Sequence, residues 1–315
     1  MSGELPSLVF MGTPDFAVPS LQRLCAHGAA VRLVVTQPDR PSGRGKRLTP
    51  PPVKLAAEAL GLEVYQPERV RRSEVIERLR SCGAECAVVV AYGQILPQDL
   101  LDAFPLGAIN VHASLLPAYR GAAPIQRAIL SGESVTGVTI MLLDAGMDTG
   151  PILTRREVPI EPADAFGAVH DKLAAAGSEL LLETLIEWKA GRVRPVAQGE
   201  AGVSLAPPVR KEEMRLAWEA PAQQVVNAIR AFDPWPGAFS ILNGRRIKCF
   251  RGSTLAWKGE GRPGEIVGST EEGLVVLAGD GRAVAVGELQ LEGVRRLSAG
   301  EFLRGRPIAP GSVLE

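Results

Sequence analysis

The sequence predicts an α/β protein: an N-terminal Rossmann-like, mostly parallel sheet with helices on both faces, followed by a C-terminal OB-like β-barrel domain. Three observations lead there. In the first 190 residues, short β-branched and apolar runs alternate with stretches of helical spacing, the pattern of strands joined by crossover helices. The run 87–90 is apolar without interruption, as a strand covered on both faces must be, and 108–111 looks like one more strand. Past residue 209 the texture becomes short strands broken by glycine around one helix-like stretch, which suits a small barrel.

Taken in order, residues 8–11 are an apolar run ended by Gly12 and read as a buried first strand. Residues 16–26 carry apolar side chains at helical spacing, and 31–35 form a second, β-branched strand. A loop rich in Pro, Gly and Arg fills 36–52. A helix over 53–60 stops at Gly61, a strand follows at 63–65, and another helix at 74–80. The strands 87–90 and 108–111 come next, then strands 138–143 and 152–158 split by the loop 144–151, then a long helix over 165–188. Residues 192–208 are Pro/Gly-rich with weak periodicity and read as a linker. The last region holds a helix at 222–231 and strands at 238–242, 246–250, 265–267, 273–277 and 283–289. The expected domains are therefore 1–190, a linker 191–208, and 209–315.

Composition narrows the function classes. Apolar residues make up 46% and charged residues 22%, the balance of an ordinary globular protein. No apolar run approaches the roughly 18–20 residues of a membrane span. The first residues lack the basic region and apolar core of a secretory signal, so a cytoplasmic protein is expected. Cys25, Cys82, Cys86 and Cys249 form no C-x-x-C pair and read as reduced, mostly buried thiols. His27, His112 and His170 have no metal-ligand spacing, so no metal is expected. The 35 basic and 35 acidic residues cancel, leaving no global field for a polyanion. Locally, Arg40, Arg44, Lys46 and Arg47 crowd one loop against Asp39, and Arg245, Arg246, Lys248 and Arg251 crowd another stretch. No apolar surface stripe stands out, which suits a monomer.

The chemistry concentrates in two segments. The strand ending at His112 delivers Asn110 and His112 with one residue between them, so both side chains share one face. The loop beyond, Ser114, Leu115, Leu116 and Pro117 and on to Gly121 and Pro124, is stiffened by its prolines. A lone histidine is more often structural than catalytic, but the adjacent Asn and a place at a strand's carboxyl end, where α/β sheets bind ligands, favour chemistry here. The second segment, Asp144, Gly146, Asp148 and Gly150, reads either as a turn with Asx-type hydrogen bonds or as the source of a carboxylate for His112. Gly12-Thr13-Pro14-Asp15 is not a phosphate-binding loop, because no Gly-Lys-Ser/Thr follows.

With these motifs the chain resembles the 10-formyltetrahydrofolate formyltransferase family, and its tRNA-acting branch in particular. The resemblance covers nearly the whole chain. It rests on Asn110, His112 and Ser114–Pro117, on the Asp148 loop, on Gly12–Phe16, on the basic loop from Gln37 to Lys46, on the stretch from Ala91 to Pro97, on Gly137–Met141 and on Ala231–Pro236. It implies transfer of a formyl group from N10 of the folate to the α-amine of methionine on initiator tRNA, with no metal because the acyl donor is already activated. Asn110 and His112 would be hydrogen-bond donors to the developing oxyanion, and Asp148 would partner the imidazole. Tyr92, Gly93, Ile95, Leu96, Ser114, Leu115, Leu116, Pro117 and Asp144 would hold 10-formyltetrahydrofolate. Phe16, Arg40, Arg44, Lys46, Arg47, Arg245 and Lys248 would contact the tRNA. The sequence departs from the family pattern at Ala113, where some relatives have Gly, and at Gln94, where other members carry an aliphatic residue. Rival readings are a formyltransferase for an amino-sugar or glycinamide ribonucleotide, a folate hydrolase, and a non-catalytic RNA-binding relative.

Overall fold

The computed structural model describes residues 4–42, 47–257 and 259–315. The chain divides into two compact units, one of Met1–Gly121, Thr136–Val158 and His170–Leu205, the other of Ala122–Val135, Pro159–Val169 and Ala206–Glu315.

In the first unit the strands are β1 (Leu8–Gly12), β2 (Val31–Val35), β3 (Arg40–Ser42), β4 (Arg47–Thr49), β5 (Val64–Tyr65), β6 (Cys86–Val90), β7 (Ala108–His112), β8 (Val135–Leu142) and β9 (Ile152–Pro159). The helices of the same stretch of chain are α1 (Val18–Ala26), α2 (Pro52–Ala59), α3 (Ser73–Ser81), α4 (Gln98–Leu101), α5 (Pro124–Leu130) and α6 (Phe166–Lys189); α5 belongs to the second unit. Seven strands make one sheet in the order β5-β2-β1-β6-β7-β8-β9. β1 runs parallel to β2 and β6, β2 to β5, and β6 to β7, whereas β8 is antiparallel to β7. Every residue of β1, β6 and β7 is buried, which explains the unbroken apolar character of β1 and β6, whereas β7 buries the polar Asn110 and His112.

The chain moves outward from β1 to β2 and β5 and then returns to add β6 on the other side of β1. That reversal opens a crevice at the carboxyl ends of β1 and β6, where such sheets hold ligands. There the Thr13 hydroxyl donates to the Tyr92 carbonyl at 2.8 Å, tying the two strand ends together. β7 lies beside β6, so His112 ends at the same edge.

Several stretches differ from the sequence reading. Residues 36–52, read as loop, contain the antiparallel hairpin β3–β4, in which Arg40 pairs with Thr49 and Ser42 with Arg47. Strands of three residues that include a proline carry almost no periodic signal. The hairpin's base is fixed by Asp39, whose carboxylate receives Lys54 Nζ at 2.9 Å and Gln66 Nε2 at 2.8 Å. Arg44 and Lys46 lie outside the described residues. The short helices α4 and α5 also escaped the sequence reading, because one or two turns cannot show a 3.6-residue period.

The stretch 192–205, read as linker, is tied into the first unit. Val196 and Ile152 exchange backbone hydrogen bonds of 2.8 and 2.9 Å, and Arg120 N donates to Ser204 O at 2.9 Å.

The second unit contributes α7 (Ala222–Ala231), β10 (Ala238–Leu242), β11 (Arg245–Leu255), β12 (Ile266–Thr270), β13 (Gly273–Leu277), β14 (Ala283–Leu291), β15 (Leu297–Ser298) and α8 (Ala299–Gly305). Its sheet runs β10-β11-β14-β13-β12, antiparallel at every paired step, with β15 added on β14. Residues 312–315 close the path. On one side Ile266 N donates to Ser312 O and Leu314 N to Gly264 O, both at 2.8 Å, and on the other Glu315 and Ile241 exchange two bonds of 2.9 Å. Edge strands β10 and β12 are thereby both satisfied, as a barrel requires. Inside, the Trp218 indole N–H donates to Ser240 Oγ at 2.9 Å, so the largest buried side chain leaves no orphaned donor. Among the described residues no helix is long and apolar enough to cross a membrane.

Candidate active site

The alternation of β7 delivers Asn110 and His112 to one face, with Val111 on the other. Both polar side chains are nearly covered, Asn110 at 9% and His112 at 6% exposure. His112 Nε2 lies 3.0 Å from the Tyr119 carbonyl. A carbonyl only accepts, so Nε2 carries a hydrogen and donates it. Nδ1 is then the nitrogen free to exchange a proton, and it faces Asp148 Oδ2 at 3.7 Å. That separation is too long for a hydrogen bond, so the carboxylate faces the imidazole across a short gap. Asp148 is itself oriented by Gly121 N, which donates to Oδ2 at 2.8 Å.

The loop after β7 is built to hold this geometry. The Ser114 hydroxyl donates to Ala118 O at 2.6 Å. Thr139, paired with His112 across β7 and β8, donates to Ser114 O at 2.7 Å and accepts from Leu116 N at 3.1 Å. Arg155 Nη1 donates to Leu116 O at 3.0 Å. Tyr119 and Asp148 both sit in the left-handed region, at φ 60° and 54°. Side chains rarely hold that conformation without support from their surroundings, and such positions concentrate at functional sites.

The structure sorts the residues named from the sequence. Asn110, His112 and Asp148 come together. Asp144 turns inward on its own loop, accepting from Gly146 N at 3.0 Å and Thr149 Oγ1 at 2.8 Å, the Asx-type arrangement. Tyr92 is buried among the apolar residues of the sheet core, with burial pushing its phenol well above the usual range. What it offers the crevice is its backbone turn, with Gly93 at φ 89°. Leu96 and Leu116 are buried, whereas Ile95 is 89% exposed at the same edge. Leu115 packs close against Gly137, and the Leu116–Pro117 peptide is cis. Gln94 uses both ends of its amide locally, accepting from Val70 N at 2.8 Å and donating to Glu68 O at 3.3 Å. Phe16 is buried with its ring edge-on to His170, centroids 5.3 Å apart. Arg40 and Arg47 are exposed on the hairpin. In the second unit Arg245 is exposed, and Lys248 Nζ donates to Pro236 O at 2.7 Å. Among the described residues no group of three or more His, Cys, Asp and Glu could hold a metal ion.

Sequence reasoning did not single out Tyr119 O, Thr139, Ser204 or Gln198. Their partners lie up to 85 residues away, beyond any local pattern.

A buried amide and a buried imidazole lie side by side at the mouth of a doubly wound sheet, an arrangement able to serve acyl-type transfer. The family models agree. The formyl transferase model matches residues 7–185, and the model of the formyl transferase C-terminal domain matches 208–307. Methionyl-tRNA formyltransferases from Geotalea uraniireducens and Pelobacter propionicus are 48% and 49% identical to this chain, each over 98% of it and 97% and 96% of their own lengths. The chain belongs to the formyl transferase family. Solved structures share its fold. An N-formyltransferase from Helicobacter canadensis, in complex with folinic acid and dTDP-3-aminofucose, superposes with TM-score 0.65 at 18% identity, over 90% of this chain and 99% of that one. HypX from Aquifex aeolicus in complex with tetrahydrofolic acid superposes with TM-score 0.64 at 19% identity, over 99% of this chain and 51% of that one.

Proposed function

We propose that this chain transfers a formyl group from 10-formyltetrahydrofolate to the α-amino group of the methionine carried by initiator tRNA. The observation that carries the reading is the covered Asn110–His112 strand end facing Asp148. The near full-length identity to methionyl-tRNA formyltransferases supports the choice of acceptor.

In this reading the methionine amine attacks the formyl carbon while unprotonated. The Asn110 amide donates to the formyl oxygen as charge builds on it, a contact stronger in the transition state than before it. His112 Nδ1 takes up and returns the proton that moves from the incoming to the departing nitrogen, and as an imidazolium it also donates toward that oxygen. Asp148 faces Nδ1 and fixes the orientation of the ring. The backbone turn at Tyr92–Gly93, the exposed Ile95, Leu96, Asp144 and the loop Ser114–Pro117 form the folate's surroundings.

Residues 1–190 serve as the catalytic domain, 191–208 as the connection and 209–315 as an OB-like tRNA-binding domain. Arg40, Arg44, Lys46 and Arg47 hold the acceptor end through phosphates, Arg245 and Lys248 the tRNA body, and Phe16 supports the methionyl end. The enzyme works as a monomer in the cytoplasm, where initiator tRNA is charged.

The test pairs one variant with one comparison. His112→Ala is expected to lower kcat by roughly 10²–10⁴-fold with the fold retained, and near-normal turnover would sink the mechanism. Charged initiator tRNA, free methionine and an amino-sugar nucleotide are then offered as acceptors; preference for the sugar would overturn the substrate.

A further inference from the structure

Gln198 belongs to the stretch whose composition suggested only a linker. Its amide makes four contacts, all within the first unit. Nε2 donates to Asp148 O and to Gly150 O, both at 2.8 Å, while Oε1 accepts from Arg120 Nε at 3.1 Å and Nη2 at 2.7 Å. The orientation is over-determined, because a flipped amide would set its oxygen against two carbonyls and its nitrogen against a guanidinium. Six residues further on, Ser204 repeats the pattern. Its hydroxyl accepts from Tyr119 N at 2.9 Å, and its carbonyl accepts from Arg120 N at 2.9 Å. Both residues therefore grip residues that sit at positive φ, Gln198 holding Asp148 and Ser204 holding Tyr119. Those are the residues whose carboxylate and carbonyl flank the two nitrogens of His112.

We infer that residues 196–204 form a strap that sets the His112–Asp148 geometry, with Gln198 as a positioning residue for the transfer reaction. Gln198 holds the Asp148 backbone, Ser204 holds the Tyr119 backbone, and Arg120 links the two by donating from its side chain to one and from its main chain to the other. The imidazole is thus oriented from both sides by one segment that touches neither ring nitrogen. The inference rests on the proposed roles of His112 and Asp148.

The experiment is a double-mutant cycle in the full-length enzyme, read as kcat and KM for both substrates. Gln198→Ala is expected to lower kcat by about 10–100-fold, the effect of displacing a catalytic group by up to an ångström, with both KM values within about twofold. In the Asp148→Asn background the same change is expected to lower kcat by less than about twofold, because residues acting through one another are not additive. Gln198→Glu keeps the shape and the acceptor for Arg120 but removes the donor, so it should be as impaired as the alanine variant. An equal kcat loss in both backgrounds, a loss confined to KM, or a wild-type-like Gln198→Glu enzyme would each overturn the strap. If Gln198→Ala fails to fold, Gln198→Glu and Ser204→Ala complete the same cycle. Asp148→Asn at normal kcat would instead overturn the role given to Asp148, whereas an impaired Asp148→Asn beside an active Gln198→Ala would overturn the strap alone.

Discussion

At the scale of single residues, the site is fixed as much by what is missing as by what is present. A Cβ on Gly150 would lie 1.9 Å from the Leu142 carbonyl oxygen, and one on Gly137 would lie 2.3 Å from the Arg156 carbonyl oxygen. Backbone atoms cannot yield as a flexible side chain can, so the loop carrying Asp148 closes against β8 only with glycine at 150. Gly150→Ala is expected to cost about 1–3 kcal/mol by overpacking and to lower kcat at least as much as it lowers Tm would suggest, since Asp148 moves with the loop. Thermal unfolding and initial rates check this, and wild-type values for both would show that Leu142 does not set the loop's path. The four thiols, by contrast, are withdrawn from chemistry. Burial raises all of them above the ordinary cysteine value, Cys86 and Cys249 to about 12, so none is poised as a nucleophile at neutral pH.

At the scale of elements, the hairpin β3–β4 turns a basic run of sequence into a directed object. Its base is clamped at Asp39, where the hydrogen bond from Gln66, aided by that from Lys54, holds the carboxyl below its usual range. The clamp leaves Arg40 and Arg47 exposed on paired strands. A cationic ribbon of this kind contributes to binding a phosphate backbone through counterion release, a term that falls with salt. Replacing Arg40 and Arg47 together by Ala is expected to raise the KM for charged tRNA several-fold and to make its salt dependence shallower by about one to two in logarithmic slope, with the folate KM unchanged. Titrating KM against salt checks it; an unaltered slope would remove the hairpin from the tRNA site.

At the scale of the whole molecule, acid stability of the first unit depends on a junction far from the site. Glu85, just before β6, accepts from Lys189 Nζ at the end of α6 at 2.9 Å and from Ser7 N, just before β1, at 2.8 Å. The bond from Lys189, followed by that from the Ser7 backbone, holds the Glu85 carboxyl below its ordinary value. A carboxyl depressed in the folded state stabilises above its unfolded pKa, and that contribution is lost as pH falls through the folded value. Glu85→Gln should therefore lower the urea midpoint at pH 7, with the gap from wild type narrowing as pH falls below about 4. A gap of constant size at both pH values would show that charge at Glu85 is not the source.

Much of this organisation was legible in the residues. The buried strands β1 and β6 announce themselves because a strand covered on both faces is apolar throughout. The Asn110–His112 spacing placed two polar groups on one face because a strand alternates. The closure of the second unit was less legible: residues 312–315 join β10 to β12 through backbone hydrogen bonds, which any side chains could make. The antiparallel β8 was illegible for a similar reason, since direction within a sheet leaves no periodic trace.

Local sequence determined the elements, the strand-end pair and the basic segment, because those depend on periodicity and on residue type over a few positions. Tertiary structure alone decided which loop faces His112, which of its nitrogens is tied down, and that a Pro/Gly-rich connection became a strap. The strap in particular rests on hydrogen bonds between groups up to 85 residues apart, such as Gln198 on Asp148 and Tyr119 on Ser204. A pairing at that distance leaves no pattern in the chain on either side of it.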